Sequence, residues 1–153
     1  MKVIAHAAAG TLALATVVTF WSATVVTELF LGQTAVVAVK YGILLGMAVL
    51  IPALMVTGAS GFALAKGRGG GLVRRKQRRM PVVAGNGLLV LVPAAVFLHH
   101  KAVTGELDSV FYAVQAVELL AGGVNITLLG LNLRDGLRLS GRRSVRAPAS
   151  GAA

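Results

Sequence analysis

Four stretches that carry almost no charge decide what this chain can fold into. No Asp, Glu, Lys or Arg occurs between Val3 and Thr27, between Tyr41 and Ala65, or between Met80 and Leu98. Between Leu107 and Leu133 the only charges are Asp108 and Glu118. Each stretch is close to the ~20 residues that carry an α-helix across a bilayer core. Four of them in 153 residues leave almost no chain for a soluble domain. The expected fold class is therefore all-α, an integral membrane four-helix bundle. The spacing predicts helices at about 3–28, 36–65, 81–101 and 108–133 in a transmembrane domain of residues 1–138, then a disordered basic tail over 139–153. Charged residues make up 13% of the chain, about half the share usual in a soluble domain. The first stretch is too long for the apolar core of a signal peptide and is read as the first helix.

The net charge of +10 is unevenly distributed. Of 15 basic residues, 13 lie in the N-terminal stub, the loop around RRKQRR and the C-terminal segment. With four helices these three segments share one face, and the positive-inside rule makes that face cytoplasmic, with both termini on it. Lys40 and Lys101 belong to the other half, with Glu28, Glu106, Asp108 and Glu118. The basic run is thus a topology signal that touches anionic lipid headgroups rather than nucleic acid, since no aromatic or motif context supports the latter. The expected partner is the lipid bilayer. The chain has no cysteine, which excludes disulfides, thiol chemistry and zinc-thiolate sites. No nucleotide-binding loop, Ser–His–Asp grouping or HExxH spacing is present.

The last helix carries a polar stripe. Gln115, Glu118, Gly122, Asn125 and Asn132 follow three-and-four spacing, with Leu129 in the skipped step and Phe111 and Asp108 above. Such residues face one direction. A carboxyl group in the middle of such a helix is costly unless protonated or paired, and faces a bundle interior or cavity. The expected intramembrane cluster is Glu118, Gln115 and Asn125 with Lys40 and Glu28 from the first hairpin. Polar residues in one seam also serve as interhelical glue, but glue does not need an ionisable group.

The histidines are the second constellation. FLHHK ends the third helix with His99 and His100, and His6 lies at the opposite face. One reading is an interfacial anchor. The other is axial ligation of haem b by His100, His99 or His6, haem being a natural cofactor for a short bundle that has histidines and no cysteine. Asn86, Pro93 and His100 are seven apart and share a face of a regular helix, so His100 is expected to point inward and His99 outward. The expected assembly is a homodimer, with the GxxxG spacing of Gly42 and Gly46 as its contact surface, although that surface equally suits a pair of helices within the chain.

The stretch VELLAGGVNITLLGLNLRDGL, residues 117–137, is similar to that of small bacterial four-helix inner-membrane proteins to which no activity is attached. More loosely, the chain resembles four-helix b-type cytochromes. That resemblance implies haem b and exchange of electrons with quinone or another redox partner. The last helix here has no histidine, whereas those proteins carry some there, so no ligand role is transferred. Three functions follow as expectations: a haem-binding electron-transfer protein, which would be a membrane oxidoreductase; a protein binding or conducting protons or a small solute through Glu118 and Lys40; and a structural membrane subunit.

Overall fold

The computed structural model of the chain describes residues 2–65 and 71–144. Helix α1 spans Lys2–Phe30 and α2 Gln33–Ala65. Helix α3 (Gly71–Asn86), a π-helical turn (Gly87–Leu91) and α4 (Val92–Thr104) run on without a break as one rod, followed by α5 (Ser109–Ser144). No strand occurs among the described residues. The four rods are each long and apolar enough to cross a membrane.

Short turns make the rods antiparallel. They pack as a ring, with α1 and the third rod each lying against α2 and α5. The diagonal pair, α2 and α5, make no close backbone approach among the described residues. The two hairpin turns lie together, since Gly105 sits beside the Gln33 amide. Gly105 adopts φ 77°, the left-handed conformation that ends α4. Asp108 then caps α5, its Oδ1 accepting the Phe111 N–H at 2.9 Å. This tip end is sealed by Val36, Leu98, Ala102 and Phe111. The opposite, basic end holds the N-terminal turns, the start of α3 and the end of α5.

The bundle is apolar outside and partly polar inside. Ile4, Leu29, Phe30, Leu89 and Leu120 are exposed, while Thr24, Thr57, Lys40, Gln115, Asn125, Asn132 and Asp135 are buried. Water as solvent would drive the reverse arrangement. A helix in lipid satisfies its own backbone and can turn apolar side chains outward, which is consistent with a multi-pass membrane protein.

Glycines let α1 approach its neighbours. The Phe20 ring occupies the space a Cβ on Gly46 would need, Trp21 lies against Gly122, and His6 against Gly61. Gly46 is thus used within the chain, and Gly42 has open space above it.

Two helix boundaries differ from the expected ones by more than three residues. The third rod begins at Gly71, ten residues before 81, because the run of Arg, Lys and Gln is a good helix former. Pro81 therefore sits inside a helix rather than in its first turn. Helix α5 continues past 133 to Ser144, through a segment rich in Leu and Arg, so residues 139–144 of the expected tail are helical. Residues 145–153 lie outside the described residues.

Candidate functional site

Helix α5 presents its stripe to the bundle centre as the three-and-four spacing requires. Phe111, Gln115, Gly122, Asn125, Leu129 and Asn132 are buried, and the Glu118 side chain is 11% exposed. Asp108, which caps the helix, stays exposed. The stripe extends one step further than expected, to Asp135, three residues after Asn132 and also buried.

Lys40 lies opposite the upper part of this stripe. It is 1% exposed although it belongs to α2, the diagonal neighbour of α5. Its long side chain crosses the bundle centre where the two backbones do not meet. The ammonium donates to Glu118 Oε2 at 2.8 Å and to Gln115 Oε1. Gln115 Nε2 in turn donates to the same Glu118 oxygen at 2.9 Å. The amide therefore closes a ring of three side chains around one buried ion pair. From α1, Glu28 feels the charges of both Lys40 and Glu118. Its Oε1 is buried and has no hydrogen-bond partner. Lys40 thus bonds across the bundle rather than to Glu28 across the first turn.

Asn125 belongs to a separate group nearer the middle. Asn86 Nδ2 donates to Asn125 Oδ1 at 2.9 Å and to the Ala121 carbonyl at 2.8 Å. Asn125 Nδ2 reaches the Val83 carbonyl at 3.4 Å, one turn before the π-helical segment. These are neutral bonds between the third rod and α5. Further down, Asn132 Nδ2 contacts Met80 Sδ at 3.4 Å.

The basic end holds two groups that sequence reasoning missed. Arg79 Nη1 pairs with Asp135 Oδ2 at 2.8 Å. Continuing the stripe by three residues would have found Asp135, but the helix was expected to stop at 133. His6 is engaged through both ring nitrogens, Nδ1 with Ser60 Oγ at 2.9 Å and Nε2 with Lys76 Nζ at 2.8 Å. Ser60 donates to the Val56 carbonyl, so its oxygen accepts from His6 Nδ1–H. That leaves Nε2 to accept from Lys76.

The histidine pair is reversed from expectation. His99 is half-buried, its ring 5.7 Å from that of Tyr41 and its Nδ1 buried without a partner, while His100 is exposed. The π-helical turn explains this. It inserts one residue into the helix, which shifts every later residue by about 100° relative to Asn86. The face of Asn86 then continues through Ala94, Leu98 and Ala102, all buried, instead of Pro93 and His100. No group of three or more metal-ligating His, Asp or Glu side chains occurs among the described residues. Comparison of the chain with protein-family models, with curated proteins and with solved structures finds no match.

Proposed function

We propose that the chain is a multi-pass membrane protein that binds and conducts protons, with the Lys40–Gln115–Glu118 ring as its proton-handling site. The carrying observation is the ion pair itself, a lysine 1% exposed and bonded to a glutamate inside helices apolar enough to cross a bilayer. Taking two charges out of water costs several kcal/mol each, about what their mutual attraction returns. Two apolar side chains would hold the helices together as well. Retaining ionisable groups at this depth therefore points to a task that needs charge or a proton. The remaining seam carries polar groups toward the basic end, through Asn86 and Asn125 to Arg79 and Asp135.

In this reading the tip end faces outward and the basic end, with both termini, faces the cytoplasm of a bacterium. Haem b does not enter the reading, although His99 keeps a buried Nδ1 without a partner. Both ring nitrogens of His6 are already engaged, His100 faces outward, and His6 and His99 lie at opposite ends. Quinone and electron transfer therefore do not enter the proposal. Nor does a homodimer, because Phe20 already occupies half of the GxxxG surface.

Proteoliposomes with an entrapped pH dye and an imposed pH gradient test the proposal. Wild-type protein should dissipate the gradient. The double variant Lys40→Met/Glu118→Leu, which removes both charges together, should slow it by about a hundredfold, the scale of losing a positioned proton-transfer group. Wild-type vesicles no leakier than empty ones would end this reading.

A further inference from the structure

The ring of Lys40, Gln115 and Glu118 leaves Glu28 without a task, yet Glu28 is the carboxyl group of the cluster nearest the tip end. We infer that Glu28 is the group that loads and releases the exchangeable proton, while Glu118 holds the Lys40 ammonium in the ring. The inference rests on the proton-conducting reading and names the residue through which that site meets the outer water.

Three observations carry it. First, one oxygen of Glu118 accepts two donors, Lys40 Nζ at 2.8 Å and Gln115 Nε2 at 2.9 Å. Gln115 is locked in that orientation, because its own oxygen accepts from Lys40. Both lone pairs of that oxygen are thus engaged. Second, Glu28 makes no such bond, and its Oε1 is buried without a donor. Helix α1 packs against α2 and α5, and from these the charged groups acting on Glu28 are Lys40 and Glu118. Lys40 and Glu118 already cancel. An ionised Glu28 therefore leaves one uncompensated negative charge in the interior, and a protonated Glu28 leaves none. Third, Glu28 lies two residues before the end of α1 at Phe30, about 3 Å along the axis, whereas Glu118 lies nine residues into α5, about 14 Å. Glu28 thus stands between the tip-end surface and the ring.

The step balances. On release, the Glu28 O–H bond breaks, the proton passes to water at the tip end, and the carboxylate formed faces the Lys40 ammonium. On transfer inward, Glu28 gives its proton to Glu118 while Lys40 swings from Glu118 to the new Glu28 carboxylate. Proton and salt bridge exchange places and the cluster stays neutral through this transfer, whereas release to water leaves it one negative charge until Glu28 is reloaded.

Infrared difference spectra of the full chain in lipid nanodiscs, recorded across a pH series in light and heavy water, test this directly. Wild-type protein should show one protonated-carboxyl band that persists near neutral pH. The band should vanish in Glu28→Gln, persist in Lys40→Met/Glu118→Leu, which removes the two cancelling charges together, and return shifted in Glu28→Asp, whose folding gives an independent control. A band that survives Glu28→Gln, or is absent from Lys40→Met/Glu118→Leu while Glu28 is intact, overturns the assignment. The vesicle flux separates the two proposals. A Glu28 band without wild-type flux supports the proton site and removes conduction, and wild-type flux unchanged in Glu28→Gln does the reverse.

Discussion

The behaviour of single residues turns on which of two costs is larger, burying a charge or leaving its partner unmatched. Lys40→Met alone leaves the Glu118 carboxylate buried without its cation, which should cost about 3–5 kcal/mol. Lys40→Met/Glu118→Leu removes both charges, and the bundle should then be as stable as wild type or up to about 4 kcal/mol more stable. Unfolding of both variants in mild detergent checks this. A double variant as weak as the single one would show that the ring is needed for packing. At the tip, Lys101 Nζ donates to Asp108 at 2.7 Å and to Glu106 at 3.0 Å. The Lys101 bond, supported by the Phe111 N–H, holds the Asp108 carboxyl below the usual aspartate range. A carboxyl lowered in the folded state stabilises the fold above its unfolded pKa, and that contribution is lost as pH falls through the folded value. Asp108→Asn keeps a helix cap and removes the charge. The stability difference between wild type and Asp108→Asn should therefore be largest near neutral pH and close in acid. A difference independent of pH would assign the role of Asp108 to capping alone.

Among the elements, the π-helical turn has the widest consequences. Removing exposed Leu89 should close Gly87–Leu91 into a regular α-helix and rotate α4 by about 100°. Leu98 and Ala102 would then leave Val36 and Phe111, a loss of about 2–5 kcal/mol by the scale of emptied core positions. His100 would turn toward the interior. Because the chain has no cysteine, a single cysteine at position 100 reports this by alkylation rate, fast in the full chain and slow in the deletion variant. Equal rates would mean that the turn does not set the register of α4. This turn also marks where sequence pattern stops being informative. The α5 stripe could be read from Phe111 to Asn132 because nothing interrupts its spacing. The third rod reads as an unbroken apolar helix, and nothing in GNGLLVLVP shows an inserted residue, so the same spacing argument chose the wrong histidine. Lys40 was recognisable as an ionisable group within an apolar helix and as a neighbour of Glu118 and Gln115, but the choice of Glu118 over Glu28 was not, because the long side chain crosses a diagonal that helix order does not predict. The His6–Ser60–Lys76 chain joins three separated segments and left no periodic trace.

At the scale of the whole molecule, rod length and charge position must agree with one bilayer. Helix α2 has 33 residues and α5 has 36, about 50 and 54 Å at 1.5 Å per residue, against a hydrocarbon core of about 30 Å. The third rod shows how the excess is placed. Lys101 marks its tip end and Arg79 its basic end, 22 residues apart, or about 33 Å. In the proposed membrane reading that span fits the hydrocarbon core and the helical turns from Gly71 to Arg78 would extend beyond it, with Arg74, Arg75 and Arg78 on one exposed side. Lysine and arginine at that end resist translocation, whereas the tip carries Lys101 balanced by two carboxylates. The tip should therefore be the end that crosses. With no native cysteine to confuse the result, Glu106→Cys and Arg75→Cys place one exposed thiol at each end. A membrane-impermeant maleimide should label position 106 in intact cells and position 75 only after lysis. The opposite pattern would invert the molecule and put Glu28 and the buried ring on the cytoplasmic half. Labelling of both positions in intact cells would mean that the Gly71–Arg79 helix does not lie on the cytoplasmic side of an intact membrane, and the positive-inside argument would fall with it.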